Sequence, residues 1–282
     1  MLKTRVKSIL KRMVTVTASA LGSNPVGRLI YGQITTSAMG RTHEVTHRGV
    51  RLTFAIPNAL NVYRAASFST KEPETLEWID AMPEGSVVWD IGGNVGLYSC
   101  YAAKHRRCRV FAFEPSVFNL ELLARNIYMN GVTDLVTIVP LALSERAQVS
   151  TLNMTNTEWG GALSSFGQPF GFDGAPMTKV FEFRTIGLSM VDALSALRIP
   201  QPDYIKMDVD GIEHLILKGG MPVLREVTGV LVEINDNFKT QATEANLYLR
   251  EAGLTLRAKR HAEMFDSAPG EERYTFNQIW SR

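Results

Sequence analysis

Val87-Val88-Trp89-Asp90-Ile91-Gly92-Gly93-Asn94-Val95-Gly96 opens as a short apolar run, ends that run in an acid and then breaks into glycines. An apolar run of this length reads as a parallel strand buried on both faces. Leu97-Tyr98-Ser99-Cys100-Tyr101-Ala102-Ala103-Lys104, which follows, has helix-forming composition. Strand, glycine turn and helix together make a corner where backbone N–H groups at a helix N-terminus can approach a ligand closely. Three residues separate Gly92 from Gly96, so the spacing is not the G-x-G-x-x-G of a dinucleotide site, and no Gly-Lys-Ser/Thr of a phosphate loop is present. Asp90 would repel a polyphosphate. It suits a ligand that carries an ammonium group, such as S-adenosylmethionine. The competing reading is a left-handed turn of no function.

Arg109-Val110-Phe111-Ala112-Phe113-Glu114-Pro115 reads as a second strand ending in an acid, with Glu114 18 residues past Gly96. A carboxylate in that place can accept both hydroxyls of a ribose. The alternative, a surface Glu at a strand end, does not account for the distance between the two acids.

Four motifs in order resemble the FkbM-type methyltransferases: Asp90-Ile91-Gly92-Gly93-Asn94-Val95-Gly96, Phe113-Glu114-Pro115, Ile205-Lys206-Met207-Asp208-Val209-Asp210-Gly211-Ile212-Glu213 and Leu217-Lys218-Gly219. The resemblance runs over roughly residues 70 to 282. It implies an α/β fold with a Rossmann-like class I methyltransferase sheet, mostly parallel, whose last strand inserts antiparallel between its neighbours, and S-adenosylmethionine as cofactor. Two positions depart from the family pattern: Gly93 stands where Ala is usual, and Asp210 where Glu is more common. The cofactor residues the resemblance implies are Asp90, Gly92, Gly93, Asn94, Gly96, Glu114, Pro115, Ser116, Ala142 and Asp208, with Leu141 beside Ala142 at the adenine.

A chain of 282 residues can bury one sizeable α/β core with a small appendage. Its apolar fraction of 45% and charged fraction of 21% are ordinary for a soluble globular protein. Cys100 and Cys108 form neither a disulfide framework nor a metal-ligand spacing, which fits a reducing, cytoplasmic compartment. No run is long enough to span a membrane. The net charge of +2 hides an asymmetry, because residues 1 to 43 carry seven Lys and Arg and no acid. Leu2, Val6, Ile9, Leu10 and Met13 recur at helical spacing, making a basic amphipathic helix. That helix packs on the catalytic domain, docks on anionic lipid through residues 1–20, or is a disordered start. A cleaved signal is disfavoured by Thr15, Thr17 and Ser19 within the apolar stretch.

Along the chain, residues 1–70 read as the N-terminal helix with a cap and hairpin segment, and 71–282 as the methyltransferase domain. Residues 22–42 read as a linker or irregular cap, and Arg48-Gly49 as the turn of a hairpin with His47 on a solvated face. Thr70 is expected to cap a helix with Pro73 in its first turn, whose Leu76, Ile79 and Met82 are buried. Phe68, Ser69 and Lys71 are expected beside the methionine end of the cofactor. A helix after Glu114 should bury Val117, Leu120, Ala124 and Ile127. Val136 to Leu143 reads as one strand running into a loop. Residues 150–180 interleave aromatics with glycines and read as a long acceptor-side loop. Further strands are expected at 203–210, 229–235, 254–260 and 274–280, with a helix over roughly 243–252.

Ligands bind at the carboxyl ends of strands in open α/β sheets. Methyl transfer to a hydroxyl needs an aligned nucleophile and a proton acceptor. Asp210, Glu233 and Lys206 are the catalytic candidates, with Asp208 and His214 behind them. Asp210 and Glu213 also fit an N-cap and its reciprocal partner. His105 and His261, in charged context, receive no role. Asp208, Asp210 and Asn235 are hard oxygen donors that could hold Mg²⁺. The expected activity is O-methylation of a hydroxyl on a sugar or other polar metabolite. An NAD(P)-dependent oxidoreductase and a non-catalytic binding protein on the same sheet are the rivals. No Asn-Pro-Pro-Tyr or Asp-Pro-Pro-Tyr follows the fourth strand, which argues against a flipped base as acceptor.

Overall fold

The computed structural model describes residues 2–262, 266 and 270–282. Two helices come first, α1 (Leu2–Gly22) and α2 (Pro25–Met39), followed by a hairpin of β1 (Thr42–His47) and β2 (Val50–Ala55). Helices α3 (Ala59–Ala66), α4 (Phe68–Lys71) and α5 (Pro73–Asp80) lead to β3 (Val87–Ile91), and then α6 (Leu97–Arg106), β4 (Arg109–Phe113), α7 (Val117–Met129) and β5 (Val136–Val139) continue the βα rhythm. A β-rich arm follows: β6 (Ala142–Leu143), β7 (Gln148–Met154), β8 (Ser164–Phe166) and β9 (Phe181–Leu188). The chain then runs through α8 (Met190–Ala196), β10 (Tyr204–Met207), α9 (Glu213–Lys218), α10 (Met221–Leu224), β11 (Gly229–Asn235), α11 (Lys239–Glu251), β12 (Thr255–Arg260) and β13 (Thr275–Ser281).

Seven strands form the central sheet in the order β12-β13-β11-β10-β3-β4-β5. Only β13 runs against the rest, and it lies between β11 and β12 as the resemblance implies. The alternation of side chains along each strand divides the core into two layers. Trp89, Ile91, Phe111 and Phe113 face α8 to α11 together with Trp280. Val88, Val110 and Ala112 face α5, α6 and α7 with Leu52, Phe54 and Phe68. Trp89 and Trp280 are fully buried, and truncating either to alanine should cost about 3–5 kcal/mol. Because Leu52, Phe54 and Phe68 share the second layer, the hairpin and α4 belong to the body of the domain. The loosely packed appendage is α1 and α2 alone, in which only Gly27 is buried among the described side chains.

Several local expectations need correction. Residues 22–42 contain α2 instead of a linker: Asn24 Oδ1 accepts the Gly27 N–H at 2.8 Å and Pro25 sits at N1, a standard helix start. The hairpin turns at Arg48-Gly49 as expected, both with positive φ. His47 is not on a solvated face; its ring meets Phe68 and Tyr101 edge-on and its Nδ1 bonds Ser69 Oγ at 3.0 Å. Thr70 lies inside α4 and caps nothing, while Glu72 is the residue ahead of Pro73. In α7, Ile127 is buried as expected, but Val117 is 54% exposed and Ala124 is exposed too, because the buried face runs through Asn119, Leu122, Leu123, Asn126 and Ile127. Asn126 Oδ1 accepts the Ala55 N–H at 2.8 Å and Asn130 Oδ1 the Thr53 N–H at 2.9 Å, tying α7 to β2. Pro140 divides the third strand, and Ala142–Leu143 leaves the central sheet to pair with β9. Most of the stretch 150–180 is loop as expected, but residues 150–154 of β7 and all of β8 are strand, and with β9 they build a second sheet in the order β6-β9-β7-β8.

Candidate functional site

The glycine turn after β3 is fixed by its surroundings. Gly92 has φ +81 and a Cβ there would lie 1.8 Å from the Asp208 carbonyl oxygen, so no other residue fits. At Gly93 an added Cβ would meet Ala112 Cβ at 3.4 Å, an ordinary contact, which explains why Gly or Ala can stand there. Gly96 precedes α6 with φ +79, against Leu123. Asp90 is buried, accepts from Ser99 Oγ, and leaves Oδ1 without a partner. Burial pushes its carboxyl up, and the Lys206 ammonium partly offsets this.

Glu114 is equally buried, at the end of β4. Its two carboxylate oxygens accept the Asn94 N–H at 2.8 Å and the Ser116 N–H at 2.7 Å. Burial outweighs those hydrogen bonds and raises its carboxyl to about 7. Glu114, Pro115, Leu141, Ala142 and Phe166 line one pocket, which has an acid on one side and apolar walls on the other.

Across the turn, a second depression is bounded by Asp90, Tyr98, Lys206, Lys71, Glu72 and Phe68. Lys71 Nζ contacts Glu72 Oε1 at 2.9 Å, and Lys206 Nζ lies 3.5 Å from Asp208 Oδ2. Burial opposes ionisation of Glu72, but the Lys71 and Lys206 ammoniums outweigh it and hold the carboxyl below its usual range. Both lysines are in turn held charged, above the usual ammonium range, by the surrounding acids.

A third and wider cleft opens beyond these two, lined by Arg64, Glu74, Asp210, Glu233, His261 and Asn277. Glu233 on β11 faces Asn277 on β13, and Asn277 Nδ2 donates to Glu74 Oε1 at 2.7 Å. Burial, followed by the Asp208 and Glu72 charges, pushes the Glu233 carboxyl well up. Burial and then Asp208 raise Asp210 to about 6. Gly92, Asn94 and Asp208 border all three depressions, so the three meet at the carboxyl ends of β3 and β10.

A strap, residues 159–164, covers that junction. Arg64 donates to the Gly160 carbonyl through Nε at 3.0 Å and Nη2 at 2.7 Å, and Asn61 Nδ2 to the Trp159 carbonyl at 2.7 Å. From the other side, Asn94 Nδ2 and Asn119 Nδ2 donate to the Gly161 carbonyl at 2.9 and 3.1 Å. Asp210 Oδ2 accepts the N–H groups of Leu163 at 2.7 Å and Ser164 at 3.2 Å. Asp210 therefore holds the strap and does not cap α9. Glu213 does the local capping, accepting the N–H of Val209 and of Gly211, each at 3.1 Å.

The three proposed metal donors do not converge. Asn235 Oδ1 accepts the Asn237 N–H at 2.8 Å, its backbone N–H donates to Gln241 Oε1 at 2.9 Å, and its side chain borders none of the three depressions. Among the described residues no group of three or more His, Cys, Asp or Glu is arranged to hold a metal. His214 packs edge-on against Phe238, and burial lowers its pKa, as fits a core residue. His105 pairs with Asp80 at 3.2 Å, away from the cleft. His261, given no role from sequence, lines the wide cleft and bonds the Thr275 carbonyl and Asp266. Arg64, Glu72 and Asn119 were also missed. The sequence signal for Glu72 was its place before Pro73; Arg64 and Asn119 carry none, since their partners lie about 40 to 100 residues away.

Sheet order, antiparallel insertion and glycine corner together define a class I methyltransferase. A family model described as "Methyltransferase FkbM domain" matches residues 90–256, and the chain belongs to that family of S-adenosylmethionine-dependent methyltransferases. Hexuronic acid methyltransferase AglP of Haloferax volcanii is 26% identical over 190 residues, covering 66% of this chain and 72% of its own. The crystal structure of methyltransferase FkbM from Methylobacillus flagellatus KT shares the fold with a TM-score of 0.51 at 14% identity, over 91% of this chain and 60% of that one.

Proposed function

We propose that this methyltransferase transfers a methyl group from S-adenosylmethionine to a hydroxyl of a saccharide or a comparably polar acceptor. The observation that carries the reading is the position of Asp210: its raised carboxyl borders both the apolar-walled pocket and the wide, acid-lined cleft. The hexuronic acid specificity in the name of the Haloferax relative supports a sugar acceptor.

The residues present fit the cofactor. The unpartnered Asp90 Oδ1 is a buried acceptor waiting for a donor, as a cofactor ammonium would provide. Glu114 keeps free lone pairs for ribose hydroxyls, and Pro115, Leu141 and Ala142 offer faces for adenine. When bound, S-adenosylmethionine supplies an electrophilic methyl group on a sulfonium and departs as a neutral thioether. Asp210, at the border of the pocket and the cleft, would take the proton of the acceptor hydroxyl. A group titrating near 6 is ionised at neutral pH and still basic enough for that work. Glu233, its carboxyl pushed up by burial, lines the cleft where the acceptor would sit, and Lys206 fixes Asp208 beside the junction.

The test is transfer of labelled methyl from S-adenosylmethionine to saccharides with and without uronic acid residues, followed by mild alkali. Alkali-stable label on a sugar supports hydroxyl methylation. Alkali-labile label places the methyl on a carboxylate, and absence of transfer to any saccharide overturns the acceptor class.

A further inference from the structure

We propose that α1 and α2 form a docking surface for an anionic phospholipid bilayer, on which the catalytic domain is held peripherally. The two helices meet tightly at the turn that joins them, where a Cβ at Gly27 would lie 1.9 Å from the Leu21 carbonyl oxygen. They bury almost nothing else. Ile9, Leu10 and Met13 of α1 are 59–62% exposed, and Leu29, Ile30 and Ile34 of α2 are 45–74% exposed. Ile9 and Leu10 lie four and three residues before Met13, and Leu29 and Ile30 lie three and four residues after the exposed Val26, with Ile34 four further on, so each helix presents an apolar stripe that no part of the described chain covers. A stripe of this size in water is costly unless something apolar meets it.

Charge selects the occupant. Residues 1–43 contain Lys3, Arg5, Lys7, Lys11, Arg12, Arg28 and Arg41 and no acid, the first acid of the chain being Glu44. A second copy of the chain would bring together two segments of the same positive net charge, which disfavours a dimer through this face. An acidic lipid surface offers the complementary charge together with an apolar layer. Among the described residues no helix is long and apolar enough to cross a membrane, so the contact is along the surface and not through it.

Flotation of the full-length protein with vesicles of phosphatidylcholine alone, and with phosphatidylglycerol added, tests this. Binding is expected to the anionic vesicles only, and to fall roughly tenfold as salt rises to about 0.5 M. Leu10→Asp with Ile30→Asp should abolish flotation, while affinity for S-adenosylhomocysteine stays within about twofold, which controls for folding. Equal binding to neutral vesicles, or no binding by the intact protein, overturns the proposal. A monomer–dimer equilibrium removed by Leu10→Asp, without flotation, overturns it in favour of a second copy.

Discussion

Asn94 and Glu114 are joined backbone to carboxylate: the Asn94 N–H donates to Glu114 Oε2 at 2.8 Å, while the Asn94 side chain reaches over to the Gly161 carbonyl at 2.9 Å. One residue thereby connects the glycine corner, the acid of the next strand and the strap. Asn94 accomplishes this from φ +48, a left-handed conformation that asparagine tolerates better than most residues.

If Glu114 accepts the ribose hydroxyls, Glu114→Ala should weaken binding of S-adenosylhomocysteine by roughly 1.5–3 kcal/mol, the range for hydrogen bonds to a charged group. Calorimetric titration of a folded variant measures it. An unchanged dissociation constant would remove Glu114 from the cofactor site.

The strap should govern how long the cofactor stays. Gly160 has φ +79, and a Cβ there would lie 2.5 Å from Asn61 Oδ1. Gly160→Ala should therefore displace the strap at a cost of about 1–3 kcal/mol. Stopped-flow measurement should register this as faster release of S-adenosylhomocysteine, and the thermal midpoint should fall by several degrees, at about 2–4 °C per kcal/mol. Unaltered release would make residues 159–164 a passive cover.

Ligand-free stability should fall as pH rises toward neutrality. Burial raises Glu114 and Glu213 to about 7 and Asp210 to about 6, above the roughly 4 of exposed carboxyls. Between those values the native state binds more protons than the unfolded chain, so unfolding free energy decreases with pH. Glu72, held low by its lysines, and His214, lowered by burial, work in the opposite direction, but the Glu72 window lies below the ordinary carboxyl range and His214 is one group against three raised acids. The unfolding midpoint should drop by a few degrees between about pH 5.5 and 8, at about 2–4 °C per kcal/mol. S-adenosylhomocysteine should reduce the drop; a midpoint rising over this range would contradict the raised acids.

Legibility in the sequence followed burial. Val87–Ile91 and Arg109–Phe113 are strands covered on both faces, so their apolar runs and terminal acids stand out. The buried face of α7 stood out only in part, because Asn119 and Asn126 share it with Leu122, Leu123 and Ile127 and, with Asn130 at the C-cap, bond backbone groups of other elements. Hydrophobic periodicity ignores such residues. The second sheet was hidden for a related reason: its β9 alternates half-exposed and exposed positions over most of its length, and glycines and aromatics crowd the loops between. At the site, the strand-end acids were readable and Lys71 was placed near them by the resemblance, whereas its partner Glu72 and the Arg64 clasp depend on where α3 and α4 fold back.

Activity should survive removal of divalent metal. The ammonium of Lys206 already lies 3.5 Å from Asp208, and Lys71 compensates Glu72, so the acids at the junction have cations of their own. Dialysis against excess chelator should leave kcat within about twofold, a difference too small to represent loss of a Lewis acid worth several kcal/mol. Loss of activity that Mg²⁺ restores would reinstate a metal at Asp208 and Asp210.

The base assignment has the sharpest consequence. Asp210→Asn removes the proton acceptor but keeps an amide oxygen that can still accept from Leu163 and Ser164, so the strap should stay in place. General-base catalysis contributes about 10²–10⁴-fold, and kcat should fall by that factor while affinity for S-adenosylhomocysteine is retained. Asp210→Ala removes both functions and should lose affinity as well. In the unaltered enzyme the rate should fall about tenfold per pH unit below a limb near 6, because the raised carboxyl becomes protonated there and can no longer take the proton. That limb should vanish in Asp210→Asn. If instead the limb persists and Glu233→Gln erases it, Glu233 is the base and Asp210 serves only to hold the strap.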